Sequence, residues 1–233
     1  MPPFLIILFL VVAAVAVYLG WLWEKKRREA LFQIAQLTGL SFDPRDPFNL
    51  PARLGHIDAF NRGHSQEASN VLHGEYGGRQ VVAFDYRYVT GSGKNRHTYH
   101  FSACLHPLEC RFPGLAIRPE GLLDKVGDFL GFEDIDFESD EFSRSFRVKS
   151  DNRKFAYDVC HPQMMEWLLA DRGWHLEFTG GYFVLTTDRR WTPEMFRAAF
   201  DFTVKFFDMI PEFVWKQYGE KEGMTGGRGG GEI

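Results

Sequence analysis

The chain has 233 residues, with 27 Lys and Arg against 31 Asp and Glu, which gives a formal net charge of −4 at pH 7. Domains that bind nucleic acid usually carry a strong positive charge, so this balance argues against a nucleic-acid partner. Hydrophobic residues make up 45% and charged residues 25% of the chain, which excludes disorder throughout. Three cysteines are too few, and odd in number, for a disulfide scaffold.

Residues 4–23, FLIILFLVVAAVAVYLGWLW, contain no charged side chain. A helix of this length spans about 30 Å, the thickness of the hydrocarbon core of a bilayer. Tyr18, Trp21 and Trp23 lie at its C-terminal end, where aromatic rings favour the membrane interface. A cleavable signal peptide fits poorly, because no Lys or Arg precedes the apolar run and no small-residue cleavage site follows it. The segment predicts a single transmembrane anchor that contacts the bilayer through residues 4–23.

The charged cluster EKKRRE follows directly at residues 24–29. By the positive-inside rule, its basic residues place the N-terminus outside the cell and the rest of the chain in the cytoplasm. Three unpaired cysteines agree with a reducing compartment.

Residues 24–39 have apolar side chains at spacings of three and four, which predicts a helix that continues from the anchor and stops at Gly39. Residues 41–55 contain three prolines and two aspartates, which predict a loop. The run RGHS at 62–65 also has the composition of a loop.

From residue 70 to residue 105 the hydrophobic period changes to two, which predicts antiparallel strands at 70–76, 80–89 and 97–105. Gly77 and Gly78 form the first turn, and residues 90–95 form a longer second turn. In the middle strand, one face carries the large apolar residues Val82, Phe84, Tyr86 and Tyr88. The other face carries Asp85 and Arg87, and we interpret this second face as solvated.

The rest of the chain mixes short strands and helices. Further strands are predicted at 115–118, 146–149, 174–178 and 182–186, and helices at 122–130, from Arg153 with Asp151 as cap, at 164–170, from Pro193 with Thr192 as cap, and at 213–218. Because strands do not alternate with helices one for one, a parallel sheet is disfavoured. The predicted fold is α+β, with an N-terminal transmembrane helix followed by an antiparallel-sheet domain with packed helices. The predicted organisation is anchor 1–23, juxtamembrane helix and linker 24–55, cytoplasmic domain 56–219, and flexible Gly-rich tail 220–233.

An acidic run, EDIDFESDE, occupies residues 133–141. Its alternate carboxylates resemble those of a calcium loop, but serines stand where an EF-hand needs Gly at position six and Glu at position twelve. The run is better read as a solvated sheet edge, or as a set of partners for Arg144, Arg147 and Lys149.

The second turn of the predicted sheet suggests an anion site. Its basic residues cluster around one hairpin tip, where glycine N–H groups are also available: Arg87, Lys94, Arg96, His97 and His100. A phosphate-binding P-loop is excluded, because Tyr88 stands at the required first glycine and a strand follows the turn. These side chains could bind a phosphate or, near the membrane, an anionic lipid headgroup.

Two other constellations are weaker. Cys104, His106 and Cys110 are candidate metal ligands, but their spacing is not that of a zinc site, so we predict no metal and no cofactor. Asp85, His100 and Ser102 share one strand face, but no nucleophile elbow accompanies them, so we predict no catalytic residue.

Several strings of the sequence resemble a group of uncharacterised bacterial proteins, each with one N-terminal membrane helix and a domain of unknown function. The strings are RGHS at 62–65, NVLHG at 70–74, AFDYRY at 83–88, TGSGK at 90–94, IDFES at 135–139, EF at 141–142 and PQMMEWLL at 162–169. The resemblance covers most of the chain after the anchor and implies a bacterial origin. It implies no activity and no functional residues.

These observations lead to two hypotheses on function. The first is a membrane-anchored, non-enzymatic interaction or sensing domain with a protein partner, at the cytoplasmic face of the bacterial plasma (inner) membrane. The alternative is a binder of a small anionic ligand, or an enzyme, that uses the basic hairpin tip at residues 87–100.

Overall fold

The computed structural model describes residues 3–120 and 133–218. Helix α1 (Pro3–Thr38) joins the predicted anchor and juxtamembrane helix without a break, and Gly39, at a φ of 73°, follows its end. By length and composition, this helix could cross a membrane. Its apolar residues from 4 to 21 are exposed, whereas Leu31 and Ala35 are buried against the domain. One helix therefore serves both as candidate anchor and as part of the core.

The described residues form one antiparallel sheet of nine strands, in the spatial order β1-β2-β3-β4-β9-β8-β5-β7-β6. The strands are β1 (Ser41–Arg45), β2 (His64–Tyr76), β3 (Arg79–Thr90), β4 (His97–Pro107), β5 (Leu115–Pro119), β6 (Glu133–Asp134), β7 (Phe146–Ser150), β8 (His175–Thr179) and β9 (Tyr182–Thr186). Each strand predicted from the alternation is present, and the α+β prediction is confirmed.

Strand β2 begins six residues before the predicted start at residue 70, so the loop prediction at 62–65 is wrong for its second half. The pairing of β2 with β3 shifts at two places, between His64 and Glu67 and between Ser69 and Leu72. Ser65 and Asn70 lie in these irregular stretches with φ angles of 52° and 54°. Bulges break the period of two, and for this reason the pattern did not show the first half of the strand.

The prediction of a loop at residues 41–55 is also wrong, because this segment contains β1 and helix α2 (Leu50–Leu54). Pro44 is tolerated because β1 is an edge strand, and Pro51 stands in the first turn of α2, where its missing N–H costs nothing. The Asp46 carboxylate accepts hydrogen bonds from the backbone N–H groups of Phe48 and Leu50, at 2.9 and 2.6 Å.

The remaining helices are α3 (Asp140–Ser145), α4 (Arg153–Val159), α5 (Pro162–Ala170), α6 (Pro193–Met209) and α7 (Glu212–Tyr218). The cap of α4 is Asn152 rather than Asp151, since its side chain accepts from the Phe155 N–H at 3.0 Å. Thr192 stands at the N-cap position of α6 as predicted, but its hydroxyl makes no capping hydrogen bond. The helix predicted at 122–130 and the tail at 220–233 lie outside the described residues.

The acidic run forms the edge strand β6 and a covered segment beyond it. Asp134 pairs with Arg147 at 3.7 Å and with Lys149 at 3.8 Å, while Ile135 and Phe137 are buried. Both readings of the run, as a charged edge and as a set of ion-pair partners, are therefore confirmed in part.

Both faces of the sheet are covered. One face packs against α1 and α3 to α7, with an aromatic cluster that includes Phe178, Phe183, Phe206 and Phe207. The other face packs against α2 and residues 57–60, and it holds the predicted row from Val82 to Tyr88. Asp85 of β3 thus faces α1 rather than water, whereas Arg87 on the same face stays partly exposed.

Candidate functional site beneath helix α1

Asp85 is buried in the middle of β3, and its carboxylate accepts five hydrogen bonds. Arg27 donates two of them, at 2.9 and 2.7 Å. Asn70 donates one at 2.9 Å, Ser102 one at 2.6 Å and Arg190 one at 3.0 Å. A carboxylate offers about four lone-pair positions, so Asp85 is fully satisfied.

A second carboxylate, Glu24, completes the arrangement. Arg190 binds it in a bidentate manner at 3.0 and 2.6 Å, and the Asn70 amide donates to it at 3.3 Å. Two carboxylates therefore face two guanidinium groups, those of Arg27 and Arg190. We call this set, with Asn70 and Ser102, the ionic junction.

Local structure explains how the junction assembles. Glu24 and Arg27 are three residues apart on α1 and therefore share one helix face. Asp85 and Ser102 are opposite each other in the β3–β4 register and so point to the same side of the sheet. Asn70 reaches the junction from the irregular stretch of β2, and Arg190 comes from the segment just before α6.

The junction remains charged at neutral pH. Burial alone would raise the pKa of Asp85, but the hydrogen bonds and charge of Arg27, with the charge of Arg190, hold it below its ordinary value. The hydrogen bond from Arg190 likewise lowers the pKa of Glu24. Burial opposes the charge of Arg190, yet its two carboxylate partners raise its pKa overall.

The Ser102 hydroxyl is fully engaged. It donates to Asp85 and accepts from the Trp191 N–H at 2.9 Å. Within the described residues no hydrogen bond joins His100 to Ser102. Ser102 therefore holds the junction together and lacks the base that a nucleophile needs. The solvated-face interpretation is wrong for Asp85 and Ser102, because α1 covers Asp85 and the segment at residues 189–191 covers Ser102.

The predicted basic residues fall into two groups. Arg87 forms an ion pair with Glu67, and His100 lies opposite Arg87 in the register. Burial and the charges of Arg190 and Arg87 lower the pKa of His100. Both residues line an open cavity of about 470 Å³ beside the junction, together with Glu67 and Arg28.

Lys94, Arg96 and His97 lie apart from this cavity. They are exposed at the tip of the β3–β4 hairpin, where Gly93–Asn95 forms a single 3-10 turn. The structure thus brings Arg87 and His100 together and places the other three residues on a separate surface.

The candidate metal ligands do not converge. The Cys104 sulfur lies 3.7 Å from Nε2 of His106, and this nitrogen also lies 2.9 Å from the Thr203 hydroxyl. Cys110 lies beyond the end of β4, and among the described residues no group of three metal-binding side chains is present. Burial lowers the pKa of His106 to about 4 and raises that of the Cys104 thiol.

Sequence reasoning missed Glu24, Arg27, Asn70 and Arg190 as members of the junction. The available signal was Asp85 itself, an acid on a strand face that carries Val81, Ala83 and Val89 beside Arg87. Such a residue indicates a buried partner as readily as solvent.

Together, the fold and the junction define an α+β domain whose candidate membrane helix is part of its own core. No protein-family model matches the chain, and no curated protein matches it. Among solved structures, it is similar to the crystal structure of the mycobacterial trehalose monomycolate transport factor A, TtfA. The TM-score is 0.59 and the sequence identity 14%, over 80% of this chain and 93% of that one. At this identity the likeness shows the fold alone, and the resemblance to uncharacterised bacterial membrane proteins stays a prediction.

Proposed function

We propose that the protein is a membrane-anchored, non-enzymatic interaction factor whose cytoplasmic domain engages a membrane-embedded protein partner. The observation that carries this proposal is the continuity of α1 from the apolar segment into the ionic junction. Glu24 follows the last apolar residue directly, so no flexible linker separates the anchor from the domain. Such an arrangement holds a domain in a fixed orientation at the bilayer, which favours a partner in the same membrane over a soluble substrate.

The proposed orientation is N-terminus outside and domain in the cytoplasm of a bacterium. Lys25, Lys26 and Arg28 are exposed on α1 immediately after the apolar segment, which supports this orientation by the positive-inside rule. A reporter fused to the C-terminus tests it. Reporter activity in the cytoplasm supports the proposal, and activity outside contradicts it.

The likeness to TtfA supports the choice of a factor over an enzyme. That protein is described as a transport factor, and it shares this fold. We infer that this chain likewise assists a membrane process carried out by another protein. The junction, in which every charge is paired with another, fits a structural role better than a catalytic one.

Affinity purification of the full chain from native membranes in mild detergent tests the proposal. Two matched forms serve as controls: one lacks residues 1–23, and the other carries a flexible Gly-Ser linker between Trp23 and Glu24. We expect a specific integral membrane protein to be recovered with the full chain and reduced at least several-fold with both controls. Recovery of no specific partner with any form would contradict an interaction role.

A further inference from the structure

The β3–β4 hairpin points toward the membrane end of α1. Arg27 of α1 contacts Asp85 of β3. Thirteen residues later, Leu40 lies against Gly74, which pairs with Val81 in the sheet register. From the apolar segment toward its C-terminus, α1 therefore runs antiparallel to β3. The opposite end of β3, with the turn at residues 91–96, must lie on the side of the apolar segment.

The distances place this turn near the headgroups. Ser92 lies seven positions after Asp85, which is about 23 Å of extended strand at about 3.3 Å per residue. Even with a strand inclined by about 45° to α1, the turn advances about 15 Å toward the membrane. Asp85 itself is level with Glu24 and Arg27, which directly follow the apolar segment. Because Glu24 directly follows the apolar segment, this advance of about 15 Å carries the turn past the end of that segment, so the turn meets the headgroups when α1 crosses the bilayer at a tilt.

The chemistry of the turn suits an anionic surface. Lys94, Arg96 and His97 are exposed, and the sequence from residue 88 to residue 108 contains no Asp or Glu. The aromatic ring of Tyr99 is partly exposed just behind the turn, stacked on Tyr88 with ring centroids 5.1 Å apart. Cations with a neighbouring tyrosine are typical of protein segments at the membrane interface.

The basic residues after the anchor extend this surface. Lys25, Lys26 and Arg28 are exposed on α1 at the same end of the domain. Arg87 pairs with Glu67 nearby and Lys25 lies 3.9 Å from Glu29, so the excess positive charge belongs to the turn and to Lys26 and Arg28 of α1. Two separated groups of cations therefore face the same membrane surface.

We propose that the turn at residues 91–97 is a second membrane contact, which docks on anionic phospholipid headgroups through Lys94 and Arg96. This inference rests on the proposed membrane anchoring. Anchor and turn together would fix the domain at two points and thereby set which of its faces a membrane partner meets. Each cation near an anionic surface strengthens such a contact by about fivefold.

A fluorescence experiment on the full chain in vesicles tests this contact. Ser92→Cys, in a Cys110→Ser background, carries an environment-sensitive fluorophore at the turn, because the other two cysteines are buried. Glu75→Cys, in the same background, is the matched control, since it is exposed near the β2–β3 turn at the opposite end of the sheet. The vesicles contain phosphatidylcholine alone or with 30% phosphatidylglycerol, and a headgroup spin label serves as quencher.

We expect the probe at residue 92 to be quenched at least threefold more than the probe at residue 75 in the anionic vesicles. Lys94→Gln with Arg96→Gln, or added salt, should reduce this difference. Equal quenching at both positions in protein that floats with the vesicles would overturn the inference and leave the anchoring intact. Failure to float would overturn both. Loss of the quenching on addition of 10 mM inorganic phosphate at constant ionic strength would assign the site to a free anion and overturn headgroup docking.

Discussion

Replacing Asp85 with Asn tests whether the ionic junction fixes α1 to the sheet. The amide keeps the shape of the carboxylate but has a single acceptor oxygen. Its NH₂ group is a donor, and it would face the donors that the second carboxylate oxygen accepts in the wild-type protein. Arg27 loses its counter-charge completely, and Arg190 keeps only Glu24. The variant therefore leaves a guanidinium group buried without compensation.

The structure sets the magnitude of this loss. The side chains of Asp85 and Arg27 are only 5% and 14% exposed, and breaking a buried ion pair by removing one partner costs about 3–5 kcal/mol. Arg190 and Glu24 are 30% and 36% exposed, so water compensates part of the change there. We expect Asp85→Asn to lower the free energy of unfolding by about 3 kcal/mol.

Urea unfolding of the full chain in mild detergent, followed by tryptophan fluorescence, measures this loss. Asp43→Asn is the matched control, because Asp43 pairs with His73 on the neighbouring strands but is 46% exposed. That control should lose less than about 1 kcal/mol. A loss below 1 kcal/mol for Asp85→Asn, or one equal to the control, would refute the view that the junction is a buried ionic contact.

The same variant has a pH signature. Because the pKa of Asp85 is lowered in the folded protein, its contribution to stability is complete above the pKa of the unfolded chain and is lost as the pH falls through the folded value. The wild-type protein should therefore lose stability more steeply than Asp85→Asn when the pH falls below about 4. Parallel acid-unfolding curves would contradict the assignment.

Three further outcomes are expected. Burial raises the pKa of Glu177 to about 7, so the contribution of this residue to stability is complete below about pH 4.5 and is lost as the pH rises through 7. Glu177→Gln should remove up to about 3 kcal/mol of that pH dependence. Urea unfolding at pH 5 and pH 8 measures it. Gly63→Ala should lower the free energy of unfolding by more than about 2 kcal/mol, because the new Cβ would lie 2.1 Å from the Val89 carbonyl oxygen. Gly78 has a similar φ and no atom within 4 Å of an added Cβ, so Gly78→Ala should lose only about 1 kcal/mol. A thiol reagent should modify the native protein at Cys110 alone and all three cysteines after unfolding, as counted by mass spectrometry; rapid reaction of the two buried cysteines in the native state would be inconsistent with the packing.

The sheet could be predicted because its signal is local. Alternation from Val82 to Tyr88 places one row of side chains on one face whatever the rest of the chain does, and the structure confirms that row. Where bulges interrupt the alternation, as around Ser65 and Asn70, the predicted strand covered only the second half of β2. Pro44 and Pro51 led to the wrong prediction of a loop, because an edge strand and the first turn of a helix also accept Pro.

The junction could not be predicted, because its signal is distant in sequence. Glu24 and Arg190 are separated by 166 positions, and nothing near either residue indicates the other. A polar residue on a strand face is compatible with solvent or with a covering helix. Only the placement of α1 over β3 decides between them. The order of strands β8, β5 and β7 could not be predicted for the same reason, because β5 pairs with two segments that are distant from it in sequence.

The junction matters more for the rotation of α1 than for the total stability, because replacing a buried ion pair with apolar residues is often neutral. Glu24, Arg27, Leu31 and Ala35 form one continuous face of the helix toward the domain. A single Ala inserted after Arg28 would turn the two charged residues by about 100° against the two apolar ones, so one pair of contacts must be lost. The same Ala inserted before Glu24 would rotate only the apolar segment and leave every contact of the domain in place. Urea unfolding should therefore separate the two insertions by about 2 kcal/mol or more, and equal stabilities would mean that α1 is not held by this face.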